Sequence, residues 1–536
     1  MELLEQHFQI ALESPDGITK LRELVLKLAM SGKLANQPDN GDSTNDLLLE
    51  LKVLKQNLTK KDFAPRNIAK SNFEESYSIP SNWVWTSLET LGIFINGDRG
   101  KNYPSKKDYV ENGIPFINAG HLDNGIVQLR EMNYISETSY DKLGGGKIEE
   151  NDILYCLRGS LGKCAITRNI KKGAIASSLV IIRPLISDMS LFLYYYLISP
   201  LGKSMIYKYD NGTAQPNLSS ANIQKFIIPL PPLEEQKRIV AKIEELLSLC
   251  NQLEKQRNSK NEILSKFNDS TLNKLIKADD ESSFGKAANY LKDKFNELYS
   301  SESNVKSLKK AILNLGISGK FKIASNGSKH DKKYPTIPEK EEPFKLPTNW
   351  IWTRLDTLGE TQTGTTPPKK NPEYYGDYIP FLGPGDIKDF KIDYSNNGLS
   401  ELGKEKARFI PANSILMVCI GGSIGKMAIN DRDVTCNQQV NTITPYEGVH
   451  LNYLSAVMQS DYFQTKILAN AGGSATPIIN KGKWISIPIP LPPLDIQIEI
   501  SDKIEKLLSL CNSLENSIGQ VSKKQVQILN SVLANI

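Results

Sequence analysis

Residues 233–254 read LEEQKRIVAKIEELLSLCNQLE, and residues 494–515 read LDIQIEISDKIEKLLSLCNSLE. Fourteen of the 22 aligned positions are identical at a spacing of 261 residues. Each follows a proline knot, Ile228-Pro229-Leu230-Pro231-Pro232 and Ile489-Pro490-Leu491-Pro492-Pro493. A repeat on this scale decides the architecture before any local motif is weighed. Working outward, Arg22–Leu34 (RELVLKLAMSGKL) matches Lys309–Phe321 (KKAILNLGISGKF). Ile79-Pro80-Ser81-Asn82-Trp83-Val84-Trp85-Thr86 matches Leu346-Pro347-Thr348-Asn349-Trp350-Ile351-Trp352-Thr353. Ile114-Pro115-Phe116-Ile117 pairs with Ile379-Pro380-Phe381-Leu382, and Gly159-Ser160-Leu161-Gly162-Lys163 with Gly422-Ser423-Ile424-Gly425-Lys426. The chain is two copies of one unit: short helix, globular insert, long helix. The helices match closely and the inserts only at scattered positions. The helices therefore do one mechanical job twice, while the inserts keep one fold and present two different surfaces.

From 233 to 276 no Pro or Gly interrupts the chain, and Ile239, Ile243, Leu246, Leu247, Cys250, Leu253, Leu264, Phe267 and Leu275 follow a coiled-coil-like seam. Pro231 and Pro232 suit the entry to a helix, and Glu234 and Glu235 suit its positive end. Such a helix spans roughly 65 Å, which predicts a spacer. The polar positions Arg257 and Lys260 interrupt the seam, a feature that commonly sets register. Leu47, Leu48, Leu51, Leu54 and Leu58 predict a further helix over 47–62. The polar stretches 36–46 and 325–343 read as linkers, and 277–304 as a turn or loose hairpin. In the inserts, 152–157 and 414–420 read as buried strands, and 191–197 and 451–458 as matching helices, which makes each insert α+β.

The chain has 536 residues, 65 basic against 60 acidic, with a formal net charge of +5, 40% apolar and 23% charged residues. These values describe a folded chain of several domains and exclude a mini-protein, a collagen or a mostly disordered chain. No apolar run approaches the roughly eighteen residues of a membrane span, and the acidic start Met1-Glu2-Leu3-Leu4-Glu5 predicts no secretory signal. Cysteines at 156, 164, 250, 419, 436 and 511 and histidines at 7, 121, 330 and 450 form no ligand cluster, so no metal is expected. Unpaired thiols fit a reducing cytoplasm.

Catalytic chemistry is missing at the sequence level. The Gly-Lys sites, followed by Cys164 and Met427, lack the spacing and the Ser/Thr that a phosphate loop needs; a strand-to-strand turn explains them. Asn371-Pro372-Glu373-Tyr374 lacks the second proline of an amino-methyltransferase loop. His121 lies in a polar loop, and Cys250 and Cys511 sit on apolar helix faces, where packing explains them.

What remains is a set of donor-rich loops at matching places. Residues 96–107 carry Arg99, Lys101, Lys106 and Lys107, and their counterpart carries Thr363, Thr365, Thr366, Lys369 and Lys370. The Gly-Lys turns add Arg158, Ser160 and Lys163 in one copy and Ser423 and Lys426 in the other, where Gln438 and Gln439 follow. Loops ahead of the proline knots hold Thr213, Gln215 and Asn217, and Thr476 and Lys481. Cationic, hydroxyl and amide side chains are the types that bind phosphates and read base edges, so these residues are the candidate contacts, to DNA if the resemblance below holds.

In this order of features the chain resembles the specificity subunits of type I restriction–modification enzymes. The resemblance rests on Leu-Pro-x-x-Trp-x-Trp opening the second insert and its variant in the first, on Gly364-Thr365-Thr366-Pro367, on Ile379-Pro380-Phe381, on Gly422-Ser423-Ile424-Gly425-Lys426, and on Pro-Leu-Pro-Pro-Leu-x-x-Gln before each long helix. The run from Leu21 to Leu34 is similar to the subgroup with an N-terminal helical arm. In the first insert Asp98-Arg99-Gly100 stands where the second has its Gly-Thr-Thr-Pro turn. The resemblance covers essentially the whole chain.

The resemblance implies an α+β chain with two target recognition domains, a spacer of long antiparallel helices and a pseudo-two-fold repeat. Its segments would be an N-terminal arm and linker (1–76), domain 1 (77–232), a helical spacer (233–325), a linker (326–343), domain 2 (344–493) and a spacer helix (494–536). It further implies a noncatalytic subunit that reads a split, asymmetric sequence in double-stranded DNA. Two methyltransferase subunits and two restriction/motor subunits would dock on it, and S-adenosylmethionine, ATP and magnesium would belong to those partners. A two-fold arrangement suits duplex DNA, with spacer length setting the unread gap. Residues 77–232 hold 16 basic and 13 acidic side chains and 344–493 hold 14 and 13, so the isolated chain should bind DNA nonspecifically only modestly. The alternatives are a two-headed protein adaptor and, with no cofactor motif for it, a self-contained adenine methyltransferase.

Overall fold

The computed structural model describes residues 12–35, 43–58, 77–168, 170–209, 217–324, 329–330, 332–388, 390–473 and 476–534. The chain divides into two compact units, Met1–Asn258 with Lys524–Ile536, and Ser259–Lys523. The divisions fall inside the two long helices, Leu233–Lys277 and Leu494–Ala534, so each unit holds one insert and a piece of both helices. In the first unit Cys250 of one helix shares an apolar cluster with Val532 near the end of the other. In the second unit Leu272 and Leu275, near the end of the first helix, share a core with Ile500, Ile504 and Cys511. In each unit a stretch of one long helix thus shares apolar packing with a stretch of the other.

Within each unit a short helix packs on the long ones. Gly17–Met30 buries Ile18, Leu21, Leu24, Val25 and Leu26, and Glu302–Ile317 buries Ile312, Leu313, Leu315 and Ile317. Arg22 Nη2 lies 2.7 Å from Glu254 Oε2, and the equivalent Lys309 Nζ lies 2.6 Å from Glu515 Oε2. The repeated Ser-Gly-Lys now has a cause. Gly32 and Gly319 end the short helices at φ of +70° and +68°, and a Cβ on either would overlap the ring of Pro80 or Pro347. Glycine is the residue that meets both the left-handed backbone and the close approach. The repeated glutamine is equally specific. Gln236 Nε2 donates to Pro231 O at 2.9 Å and Gln497 Nε2 to Pro492 O at 2.8 Å, which satisfies a carbonyl of each buried proline knot.

Each insert is closed by a two-stranded ribbon from its own ends, Val84–Ser87 with Ile227–Leu230 and Ile351–Arg354 with Pro488–Leu491. The first insert contains a six-stranded sheet in the order Gly92–Asn96, Leu179–Pro184, Ile153–Cys156, Cys164–Ile166, Gly125–Val127, Leu122–Asp123, and a smaller four-stranded one. The second contains a four-stranded sheet in the order Gly359–Thr363, Val440–Pro445, Ile415–Val418, Met427–Ile429, with a three-stranded sheet beside it. One face of each main sheet is covered by a helix pair, Ser190–Ile198 with Pro200–Tyr209 and Leu451–Gln459 with Asp461–Asn470. This is an α+β repeat.

Three expectations differ from the structure. The stretch 277–304 is not a loose hairpin: Glu281–Asp293 and Phe295–Leu298 are helical, capped by Asp280, whose side chain accepts from Ser283 N. Its apolar positions Ala287, Leu291 and Leu298 are few but buried, and a thin stripe among charges hides a helix from a composition reading. The helix expected over 47–62 is Thr44–Gln56, capped by Ser43, whose side chain accepts from Asn45 N; residues 59–76 lie outside the described residues. The linker 326–343 is partly tied down, since Ile337 N bonds Trp352 O at 3.1 Å and Thr353 Oγ1 bonds Pro335 O at 2.7 Å.

Candidate nucleic-acid interface

Strand register decides which loops share an end of each sheet. In the second insert Thr363, the last residue of its strand, lies opposite Asn441, and Val418, also a last residue, lies opposite Val440, the first of its strand. Met417 faces Met427, the first residue of the next strand. The segments 364–371, 419–426 and 437–439 therefore leave the sheet at one end. Ile420 bridges to Ile478, and Gly421 N bonds Pro477 O at 2.9 Å, which brings in the loop before the proline knot. The first insert repeats this. Asn96 faces Val180, Cys156 faces Leu179 and Tyr155 faces Cys164. Arg158 bridges to Asn217, and Leu218 N bonds Leu157 O at 3.0 Å. Four loops converge in each copy.

Glycine makes the convergence possible. Gly97 and Gly364 directly follow the first strand of each sheet, and a Cβ on either would overlap carbonyls of Ile175 and Ala176, or of Cys436 and Asn437. Gly159 and Gly162 at φ of +78° and +80°, and Gly421 and Gly425 at +94° and +88°, shape the Gly-Lys turns, which join two antiparallel strands.

The candidate residues distribute as follows. In the first insert Arg99, Lys101, Arg158, Ser160, Lys163 and Asn217 are exposed at the shared end. Lys106 and Lys107 are exposed in a 3-10 turn, Lys106–Asp108, further along the same loop. Thr213 and Gln215 lie outside the described residues. Asp98, the one acid of this loop, is occupied: its carboxylate accepts from Gly100 N at 2.7 Å and Gly144 N at 2.9 Å. Those backbone N–H groups, Gly100 first, hold the carboxyl below its ordinary range.

In the second insert Lys369, Lys370, Lys426, Gln438 and Thr476 are exposed, while Thr363, Thr365, Ser423 and Gln439 are half-buried. Thr363 Oγ1 bonds Asn441 Oδ1 at 2.8 Å, and Thr365 N bonds Cys436 O at 2.8 Å. Lys481 opens the helix Lys481–Ile485 and donates from Nζ to Thr361 O at 2.6 Å, so one of its protons is committed within the insert.

The loops also bond to one another, and the tips hold Asn437, Ser177, Ser178 and Arg408, which the sequence does not single out. Thr366 Oγ1 donates to Gln438 Oε1 at 2.5 Å, so the Gln438 amide oxygen is committed within the tip. Asn437 Nδ2 bonds Gln439 Oε1 at 3.2 Å. In the first insert Ser177 and Ser178 stand where Gln438 and Gln439 stand, because Leu157 N bonds Ser178 O and Cys419 N bonds Gln439 O, each at 2.8 Å. Arg408 Nη1 donates to Thr363 O at 2.5 Å. The position of the Gln pair, directly before a buried strand, could have exposed the serines by alignment of the two halves. Arg408 had no such signal.

Among the described residues no group of three or more His, Cys, Asp or Glu side chains could hold a metal, and no helix is long and apolar enough to cross a membrane. The arrangement offers exposed and half-buried donors and amides on neighbouring loops. This is chemistry for recognising a polyanion with readable edges.

The chain is similar to known proteins. The family model for the type I restriction modification DNA specificity domain matches residues 80–263 and 347–521. The EcoEI specificity subunit of Escherichia coli is 23% identical, over 96% of this chain and 93% of its own. The HindI specificity subunit of Haemophilus influenzae is 32% identical over 178 residues, 32% of this chain and 38% of its own. A chain solved in a study of complex assembly and conformational transition of the type I R-M system superposes with a TM-score of 0.53 at 16% identity. That superposition covers 85% of this chain and 98% of the solved one, and it bears on the fold alone. With two matched segments that fall on the two halves of an internal repeat, this chain belongs to the type I restriction–modification DNA specificity family.

Proposed function

We propose that this chain is the DNA-reading specificity subunit of a type I restriction–modification complex, itself noncatalytic, and that each insert reads one word of a split, asymmetric target. One observation carries the reading. Two sheets that share four strands in the same order gather four loops each at one end, and equivalent loop positions differ in chemistry, Ser177-Ser178 against Gln438-Gln439. One scaffold with unlike tips predicts two unlike words. Phosphate contacts from the exposed lysines would hold register, while amide and guanidinium groups choose bases.

The finer assembly follows from the same proposal. Two methyltransferase subunits and two restriction/motor subunits would complete an adenine-specific methyltransferase and ATP-dependent endonuclease in the cytoplasm. S-adenosylmethionine, ATP and magnesium would be held by those partners and would supply methyl transfer and translocation. The near balance of charge in both inserts, 16 basic to 13 acidic and 14 to 13, favours tight binding only in the assembled complex.

The test is methylation profiling of a host genome carrying this gene with its methyltransferase partner. A two-part, unlike-halved methylated sequence is expected. No methylation with the partner present, or methyl transfer by the purified chain alone, would overturn the assignment.

A further inference from the structure

We propose that Arg408 reads a guanine in the word recognised by the second insert; this rests on the function proposed above. Arg408 is exposed, and its Nη1 donates to the backbone oxygen of Thr363, the last residue before the loop that carries Thr365 and Thr366. Its charge also reaches the thiol of Cys436, two residues before Gln438. The guanidinium is therefore held at the end of the strand that leads into the Thr365–Thr366 loop. A guanidinium has five N–H donors, and one is used here. No carboxylate pairs with Arg408 among the described residues, which leaves the other donors without an anionic partner. A guanidinium held by a backbone carbonyl has lost much of its rotational freedom before it meets a ligand. Its planar fork matches the two acceptors on the major-groove edge of guanine.

The first insert supplies the internal contrast. Ile148 N bonds Gly173 O at 3.0 Å and Ile410 N bonds Val434 O at 2.9 Å, so the two segments share a register and Gly146 stands where Arg408 stands. Gly146 has φ of +77°, and a Cβ there would come within 2.8 Å of Gly97 Cα. The first insert has no room for a side chain at the place where the second projects a guanidinium. The two readers thus differ in a residue on a segment that carries none of the four matched loops.

The experiment uses the full chain co-expressed with its methyltransferase partner, with host genomic DNA as the probe, read by methylation sequencing. R408A should relax one G·C position in one of the two words, with discrimination there falling on the order of tenfold to a hundredfold. The other word should be unchanged, which serves as the folding control. R408K keeps the charge without the fork and should relax the same position. An unchanged sequence at unchanged occupancy in both variants overturns the proposal. So does a uniform loss of methylation with both words intact, which would mark a phosphate contact. If R408A fails to copurify with its partner, R408K decides. If the wild-type chain directs no methylated sequence, the proposed function fails instead, so the two failures are distinguishable.

Discussion

Asp152 and Arg183 form a largely buried ion pair in the first insert, and its removal is the sharpest test of how the two copies diverged. Arg183 Nε lies 2.8 Å from Asp152 Oδ1 and Nη2 lies 2.8 Å from Oδ2, a two-pronged contact. The aspartate side chain is 1% exposed and the arginine 22%. Asp152 Oδ2 also accepts from Glu149 N at 2.7 Å. In the second insert the same two positions are Ser414 and Thr444, whose hydroxyls meet at 2.7 Å. Breaking a buried ion pair from one side costs about 3–5 kcal/mol, because the surviving charge keeps its desolvation penalty. Water reaches part of Arg183, and its Nη1 keeps Glu149 Oε1 at 2.5 Å, so D152S should fall at or just below the lower end, about 2–3 kcal/mol, roughly thirtyfold to a hundredfold in an opening equilibrium. The double variant D152S/R183T copies the second insert's hydroxyl pair and should lie within about 1–2 kcal/mol of the wild type, since it removes both charges at once. Hydrogen exchange of the peptides covering Ile153–Cys156 and Leu179–Pro184 reads both numbers in the intact chain. Exchange of D152S within threefold of wild type, or a double variant as labile as the sum of its singles, would refute the argument.

Three further outcomes are expected. G364A places a Cβ onto the carbonyls of Cys436 and Asn437, so the tip must shift; the cost is about 1–3 kcal/mol, and the second word should blur while the first stays sharp, as methylation profiling would show. Replacing Lys369 and Lys370 by alanine should lower the salt dependence of DNA binding by the assembled complex, by a slope of about 2 in log K against log salt if both meet phosphate; an anisotropy titration with an unchanged slope would exclude them. Burial pushes the thiols of Cys164, Cys419 and Cys436 from 9.0 up to about 12. Their native forms stay protonated, so this contribution to stability is complete below pH about 9 and is lost as pH rises toward 12, where the unfolded chain ionises first. The unfolding midpoint should drop across that range, and native iodoacetamide labelling at pH 8 should spare all three; rapid labelling of any one contradicts its burial.

Much of this was legible in the residues themselves. The first long helix was expected over 233–276 and is Leu233–Lys277; the strands expected at 152–157 and 414–420 are Ile153–Cys156 and Ile415–Val418. Those elements announce themselves through periodicity and unbroken apolar runs, which are local signals. Glu281–Asp293 did not, because its buried face is built from two residues among charges and becomes apolar only against its neighbours. Each candidate loop stands out by its own composition, yet nothing local shows that 364–371, 419–426 and 437–439 leave the sheet together.

The duplication, the alternation of helices with inserts and the absence of recognisable catalytic motifs were decided by the order of residues alone, since each is a property of neighbours along the chain. The membership of each tip was decided by tertiary structure. Arg408 reaches Thr363 across 45 positions, and Thr366 reaches Gln438 across 72, through strand pairings set far from either residue. Register carries that information, because a sheet fixes which ends coincide only once its strands have chosen partners.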